Sequence, residues 1–127
     1  AKADFDKGAD IVYAAAGASG TGAFDAAVAA GEGKWAIGVD SDQYLTATAA
    51  QKPHILTSAL KRVDTATYDF IKSVNAGTPA TSYTTYDLKN DGVGYSTSGG
   101  FVDDIKSDID GYKAKIISGE IKVPTKP

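Results

Sequence analysis

The chain has no cysteine and no methionine, and only one histidine and one tryptophan, in 127 residues. Without cysteine there are no disulfides, no thiolate nucleophiles and no cysteine-based metal sites. The compartment stays open, because disulfide-free proteins occur on both sides of a membrane. The lone histidine, His54, has no second histidine or cysteine with which to share a metal and no evident acid–base partner, so it reads as structural. A basic surface is missing too: 13 Lys and Arg stand against 16 Asp and Glu, a net charge of −3, which argues against nucleic acid as a partner. No apolar run approaches the roughly 20 residues of a membrane-spanning helix. Ala1 to Asp10 is charged and carries no signal-peptide stretch. Ala1 to Lys7 reads as the tail of a helix closed by Gly8, so a processed or excised piece of a longer protein is expected.

What remains is a globular composition, 43% hydrophobic and 23% charged, with length for one domain and a core. Ile11 to Ala16 is a nearly continuous apolar run, as in a strand buried on both faces. Gly17 to Gly22 is a flexible turn, and Ala23 to Ala30 is rich in helix formers and stops at Gly31. A second strand, Lys34 to Val39, ends abruptly at Asp40-Ser41-Asp42; Gln43 to Pro53 reads as irregular. A third, His54 to Leu60, ends at Lys61-Arg62. Val63 to Asn75 is an amphipathic helix with Val63, Ala66, Phe70, Ile71 and Val74 on one stripe. Tyr83 to Leu88 alternates like an edge strand, Asn90-Asp91-Gly92 is a turn, and Val93 to Ser96 suits a short strand. The last helix is expected over Phe101 to Ser118, with Val102, Ile105, Ile109, Tyr112 and Ile116 facing inward. Strand and helix alternate, which implies parallel strands with right-handed crossovers, hence an open α/β sheet.

Ligands of such sheets bind beyond the carboxyl ends of the strands. Three loops leave those ends, and each is polar or glycine-rich: Gly17 to Gly22, Asp40-Ser41-Asp42, and Lys61-Arg62. A carboxylate accepts hydrogen bonds from the vicinal hydroxyls of a sugar, a lysine donates to them, and glycines let backbone N–H groups come close. Each loop also has a plainer reading. The glycine turn lacks the Gly-Lys-Ser/Thr ending of a phosphate loop and the glycine spacing of a dinucleotide site, and alone is a strand-to-helix turn. Asp40 and Asp42 alone fit a solvated turn or cap, and Lys61-Arg62 a charged loop. Asp103, Asp104, Asp108 and Asp110 read as the solvated side of the last helix. No nucleophile–base pair or metal cluster is visible, so binding without turnover and without a cofactor is expected.

Three strings then resemble a known family: Gly8-Ala9-Asp10-Ile11-Val12-Tyr13-Ala14-Ala15-Ala16-Gly17, Trp35-Ala36-Ile37-Gly38-Val39-Asp40-Ser41-Asp42-Gln43, and Ile55-Leu56-Thr57-Ser58-Ala59-Leu60-Lys61-Arg62-Val63-Asp64. Together with the tail from Tyr112 to Pro124, they are similar to the basic membrane lipoprotein family of nucleoside-binding subunits of ABC importers, in order and over nearly the whole chain. The resemblance implies the carboxy-terminal part of a type I periplasmic-binding-protein-like fold, an open, mostly parallel sheet flanked by helices whose last elements pack on the other lobe. It divides the chain into a ligand-facing α/β region, residues 1–62, and a hinge-crossing helix, edge strand and terminal helix, residues 63–127.

In that family a purine nucleoside lies between two lobes, and an aspartate and a lysine hold its ribose. The matching positions are Asp40 and Lys61, with Gly17 bordering the ribose through its backbone and Asp42 in the same motif. The resemblance further implies an ABC permease as partner and an extracytoplasmic location, anchored as a lipoprotein in the intact precursor. The amino-terminal lobe with its base-reading groups is not in this sequence, so Ile105, Ile109 and Ile116 are expected to lack their usual neighbours. Pairing with the absent lobe, or self-association, would cover them.

Three other readings stay open. A receiver-like domain phosphorylated on Asp40 would need an acidic pair after its first strand, where Ala15-Ala16-Gly17 stands instead. A ligand-sensing module of the same fold, not tied to transport, is compatible with the residues. So is a folded piece that binds nothing, since half a cleft encloses only half a ligand.

Overall fold

Three of the apolar runs form neighbouring parallel strands in a computed structural model that describes residues 1–124. They are β1 (Ile11–Tyr13), β2 (Trp35–Asp40) and β3 (Ile55–Lys61), and a short β4 (Val93–Tyr95) completes the sheet order β1-β2-β3-β4. Ile11 lies beside Trp35 and Tyr13 beside Ile37; across the next pair Ile37 faces Thr57 and Asp40 faces Leu60. Strands that run the same way need a crossover. Between β1 and β2 it is α2 (Thr21–Ala30), which stops at Gly31 as the sequence suggested.

The chain divides into two compact units. The first holds residues 1–61 and takes back Tyr95–Asp103 from far along the sequence; the expected division into 1–62 and 63–127 made no provision for that return. Its core is small: Phe5 of α1 (Lys2–Asp6), Ala23, Phe24 and Ala27 of α2, and Ala36 and Ile55 from the strands. Val12, Ala14 and Tyr44 pack around them. Alanines at the facing positions let α2 lie close on the sheet. β1 is shorter than expected and is not covered on both faces. Val12 points to the core, while Ile11 and Tyr13 are about half exposed, at 49% and 54%, because alternate side chains of a strand face opposite ways. The His54 Nδ1–H donates to the Lys34 carbonyl at 2.9 Å, tying the start of β3 to the start of β2.

The second unit holds Arg62–Gly94 and the chain from Asp104 onward, with α3 (Val63–Asn75) and α4 (Lys106–Ser118). Among its described residues no apolar side chain is buried. The stripe on α3 forms as expected but stays open, with Phe70 53% and Ile71 60% exposed. On α4 the inward face was overestimated: Ile109 and Ile116 are half-buried, but Tyr112 and, just before the helix, Ile105 are exposed. The helix starts at Lys106 and not at Phe101, because Phe101 and Val102 belong to the first unit, where Val102 is buried and Phe101 packs on Trp35.

The expected strand over Tyr83 to Leu88 does not form. Instead Asp87 and Asn90 cap a 3-10 turn, Asp87 Oδ1 accepting from the Lys89 N–H and Asn90 Oδ1 from the Asp87 N–H, each at 2.8 Å. Short polar side chains that bond their own backbone compete with a strand ladder in this way. Asp91 then takes a left-handed conformation, and Lys113 of α4 donates to its carboxylate at 2.9 Å. No helix among the described residues is long and apolar enough to cross a membrane.

Candidate functional site

β2 and β3 end side by side. Asp40 is paired in register with Leu60, so the next residue, Lys61, which ends β3, stands at the same edge. The Lys61 ammonium lies 3.0 Å from Asp40 Oδ1, and both side chains are more than half exposed, at 60% and 51%. The pair therefore stands open to solvent at the carboxyl end of the strands. An exposed pair of this kind adds little to stability, on the order of 0–1 kcal/mol.

The backbone at Asp40 is unusual. Its φ is +68°, and the Ser41 N–H donates to the Val39 carbonyl at 2.9 Å, closing a three-residue γ-turn around it. A non-glycine residue with positive φ in such a turn is strained, by roughly 1–3 kcal/mol, and persists only where its surroundings enforce it. Those surroundings come from residues the sequence reading did not single out. Gln43 folds back so that its Oε1 accepts from the Val39 N–H at 2.8 Å, while its own N–H donates to Ser58 Oγ at 3.1 Å. Ser58 is fully buried. Gly38 makes room for both: a Cβ there would lie 2.5 Å from Ser58 Oγ and 2.8 Å from Gln43 Oε1. The Gly38-to-Gln43 string is thus a clamp that presents Asp40. A serine amid the apolar run of β3 was the one signal in the sequence that could have found Ser58.

The returning segment reinforces the clamp. The Ser96 N–H donates to the Ser58 carbonyl at 3.0 Å, and Thr57 Oγ1 donates to the Ser96 carbonyl at 2.6 Å. Ser98 then reaches Asp42: its Oγ donates to Asp42 Oδ2 at 2.5 Å. The other oxygen, Asp42 Oδ1, is buried without a partner. Of the four residues expected at the site, Asp40 and Lys61 meet directly, and Asp42 turns toward Ser98. Gly17 lies beyond the carboxyl end of β1, on the same edge, with φ +54° and open space where a side chain would stand. That φ suits glycine, which meets no steric penalty there. Gly17 opens the 3-10 turn Gly17–Gly20 that leads into α2.

A carboxylate and an ammonium on an open strand edge, beside a glycine turn, can share hydroxyl groups of a polar ligand. No group of three or more His, Cys, Asp or Glu able to hold a metal occurs among the described residues. Comparison with known proteins agrees with the fold. A family model described as "ABC transporter substrate-binding protein PnrA-like" matches residues 1–127. The chain is 36% identical to a "CD4+ T-cell-stimulating antigen" of Listeria monocytogenes, over 97% of this chain and 38% of that protein. It is 35% identical to the "ABC transporter nucleoside-binding protein BmpA" of Lactococcus lactis, over 99% of this chain and 39% of that one. Among solved structures, a solute-binding protein of an ABC transporter system from Aeropyrum pernix superposes with a TM-score of 0.72 at 29% identity, covering 98% of this chain and 43% of that one. The chain thus spans about two fifths of the length of these relatives, and its α/β architecture is that of periplasmic binding proteins. It belongs to the Bmp family of PnrA-like ABC transporter substrate-binding proteins.

Proposed function

We propose that this chain carries the ribose-holding part of a nucleoside-binding cleft in the substrate-binding component of an ABC importer. The observation that supports it best is the Asp40–Lys61 pair, open to solvent at the strand edge, with Asp40 held in a strained turn. Strain of this kind concentrates at functional sites. A carboxylate chelating a 2′,3′-diol makes two charge-assisted hydrogen bonds, and the neighbouring ammonium donates a third. Gly17 borders the sugar through its backbone. The Lactococcus relative is named as nucleoside-binding, which favours a riboside over a free sugar. Binding without turnover fits the Lactococcus relative, which is named as nucleoside-binding, and the Aeropyrum structure, which is named as solute-binding.

The relatives are more than twice as long as this chain. In this reading the remaining lobe supplies the other wall of the cleft and the groups that read the base. The same lobe covers the open apolar stripe of α3 and the exposed Ile105 and Tyr112. An ABC permease receives the ligand, and the protein works outside the cytoplasm, held to the membrane by a lipid anchor. Equilibrium binding of inosine, 2′,3′-dideoxyinosine, ribose and hypoxanthine tests this. The diol reading predicts that inosine binds at least about tenfold more tightly than its dideoxy analogue, since hydrogen bonds to charged groups contribute roughly 1.5–3 kcal/mol. Equal affinity for the two, or binding of hypoxanthine alone, would refute it.

A further inference from the structure

We propose that Asp42 is a positioning residue and not a ligand contact, and that with Ser98 it forms a latch holding the turn that aims Asp40. The proposal rests on the nucleoside-binding reading above. Asp42 lies two residues beyond Asp40, inside the same motif, and as a second carboxylate on the strand edge it looks like a second acceptor for the sugar. Its surroundings say otherwise. Oδ2 takes the Ser98 hydroxyl in a 2.5 Å bond, the short contact of a charge-assisted O–H···O⁻ pair. Oδ1 is buried, out of reach of a ligand approaching from solvent.

The latch closes a ring. Ser98 is anchored by its own N–H, which donates to Ser96 Oγ at 3.1 Å. Ser96 is buried and bonded to the Ser58 carbonyl. Ser58 Oγ accepts from the N–H of Gln43, the residue that follows Asp42. The turn is therefore gripped on one side by Gln43, through Ser58 and the Val39 N–H, and on the other by Asp42, through Ser98. Asp40, flanked by Val39 and by the gripped Asp42–Gln43 pair, is the residue whose backbone is strained and whose side chain is open. A positive φ relaxes when the contacts that impose it are removed, so loss of the Ser98 hydroxyl would let the Asp40 carboxylate leave its aim without touching any ligand atom. The segment carrying Ser98 is itself seated on the first unit, with Phe101 against Trp35 at 4.8 Å between ring centroids and Val102 2% exposed. A latch placed there can transmit position.

The experiment is a titration of the chain and of its Ser98→Ala, Ser98→Thr, Asp42→Asn and Asp40→Ala variants with inosine and with 2′,3′-dideoxyinosine, followed by backbone amide NMR. Ser98→Ala is expected to weaken inosine roughly tenfold while changing the dideoxy analogue less than about twofold, so that discrimination between them falls. It is also expected to shift the Asp40 and Ser41 amides before any ligand is added. Ser98→Thr, which keeps the hydroxyl, restores the affinity to within about threefold, and Asp42→Asn, which keeps an acceptor for Ser98, costs less than Ser98→Ala. Unchanged discrimination in Ser98→Ala, or equal weakening of both ligands, overturns the latch. So does loss of inosine binding in Asp42→Asn as large as in Asp40→Ala, the mark of a direct contact. If Ser98→Ala loses its dispersed spectrum, the comparison of Asp42→Asn with Asp40→Ala decides. If the unsubstituted chain fails to distinguish the two ligands, the diol reading falls and the latch with it, whereas failure in Ser98→Ala alone removes only the latch.

Discussion

The Lys61 ammonium and the Asp40 carboxylate lie 3.0 Å apart across the ends of two adjacent parallel strands. Both side chains are more than half exposed, so on the proposed reading a sugar diol displaces surface water and opens an exposed ion pair, which costs far less than breaking a buried one.

Asp40→Ala is expected to remove most of the ribose-dependent affinity, roughly ten- to a hundredfold, from the ~1.5–3 kcal/mol of hydrogen bonds to a charged group. Calorimetric titration with inosine checks this. Binding unchanged within about twofold would refute the role of Asp40.

Lys61→Met separates stability from binding. The pair is exposed, so the unfolding free energy should change by no more than about 1 kcal/mol, while inosine affinity falls as a donor to the sugar is lost. A large loss of stability with unaltered affinity would make Lys61 a structural residue.

Gly38→Ala acts on the clamp from below. The added methyl would sit 2.5 Å from Ser58 Oγ and 2.8 Å from Gln43 Oε1, and such crowding typically costs about 1–3 kcal/mol. The denaturant midpoint should drop accordingly, and the Val39 amide should lose its bond to Gln43. An unaltered midpoint would mean that Gln43 swings away freely and does not hold the turn.

Acid titration bears on the second unit. The Lys113 ammonium, bonded to Asp91 and acting on it by charge, holds that carboxyl below the usual aspartate range, with Arg62 adding to the effect and slight burial opposing it. A carboxyl whose folded pKa is lowered contributes stability that is present above its unfolded value and lost as pH falls through the folded one. The loss is thus confined to acid, from about pH 4 downward. Carbon-detected NMR should show Asp91 titrating below the ordinary range, and Lys113→Met should return it there. A titration insensitive to that substitution would contradict the pairing.

Much of this was legible in the sequence because it rests on local pattern. The apolar runs at Ile11, Trp35 and Ile55, the helix formers after Gly22 and the polar residues after Val39 and Leu60 gave the parallel sheet and placed Asp40 and Lys61 at one edge. Contacts between residues far apart in sequence were not legible. Ser98 is 56 residues from Asp42, and nothing in its neighbourhood announces a partner. The return of Tyr95–Asp103 to the first unit likewise made Phe101 and Val102 look like the first turn of a helix, when tertiary packing had claimed them. At Tyr83 to Leu88 alternation suggested a strand, but side-chain caps at Asp87 and Asn90 satisfied the backbone locally and no strand formed.

The most direct test is a titration of the isotope-labelled chain with adenosine, inosine, guanosine, ribose and a free base, followed through the backbone amides. The nucleosides and ribose should move the amides of Gly17, Asp40 and Lys61 together, and the free base should leave them in place. A well-dispersed spectrum that ignores every one of these ligands, or that responds only to the base, would contradict a ribose-holding site at this strand edge.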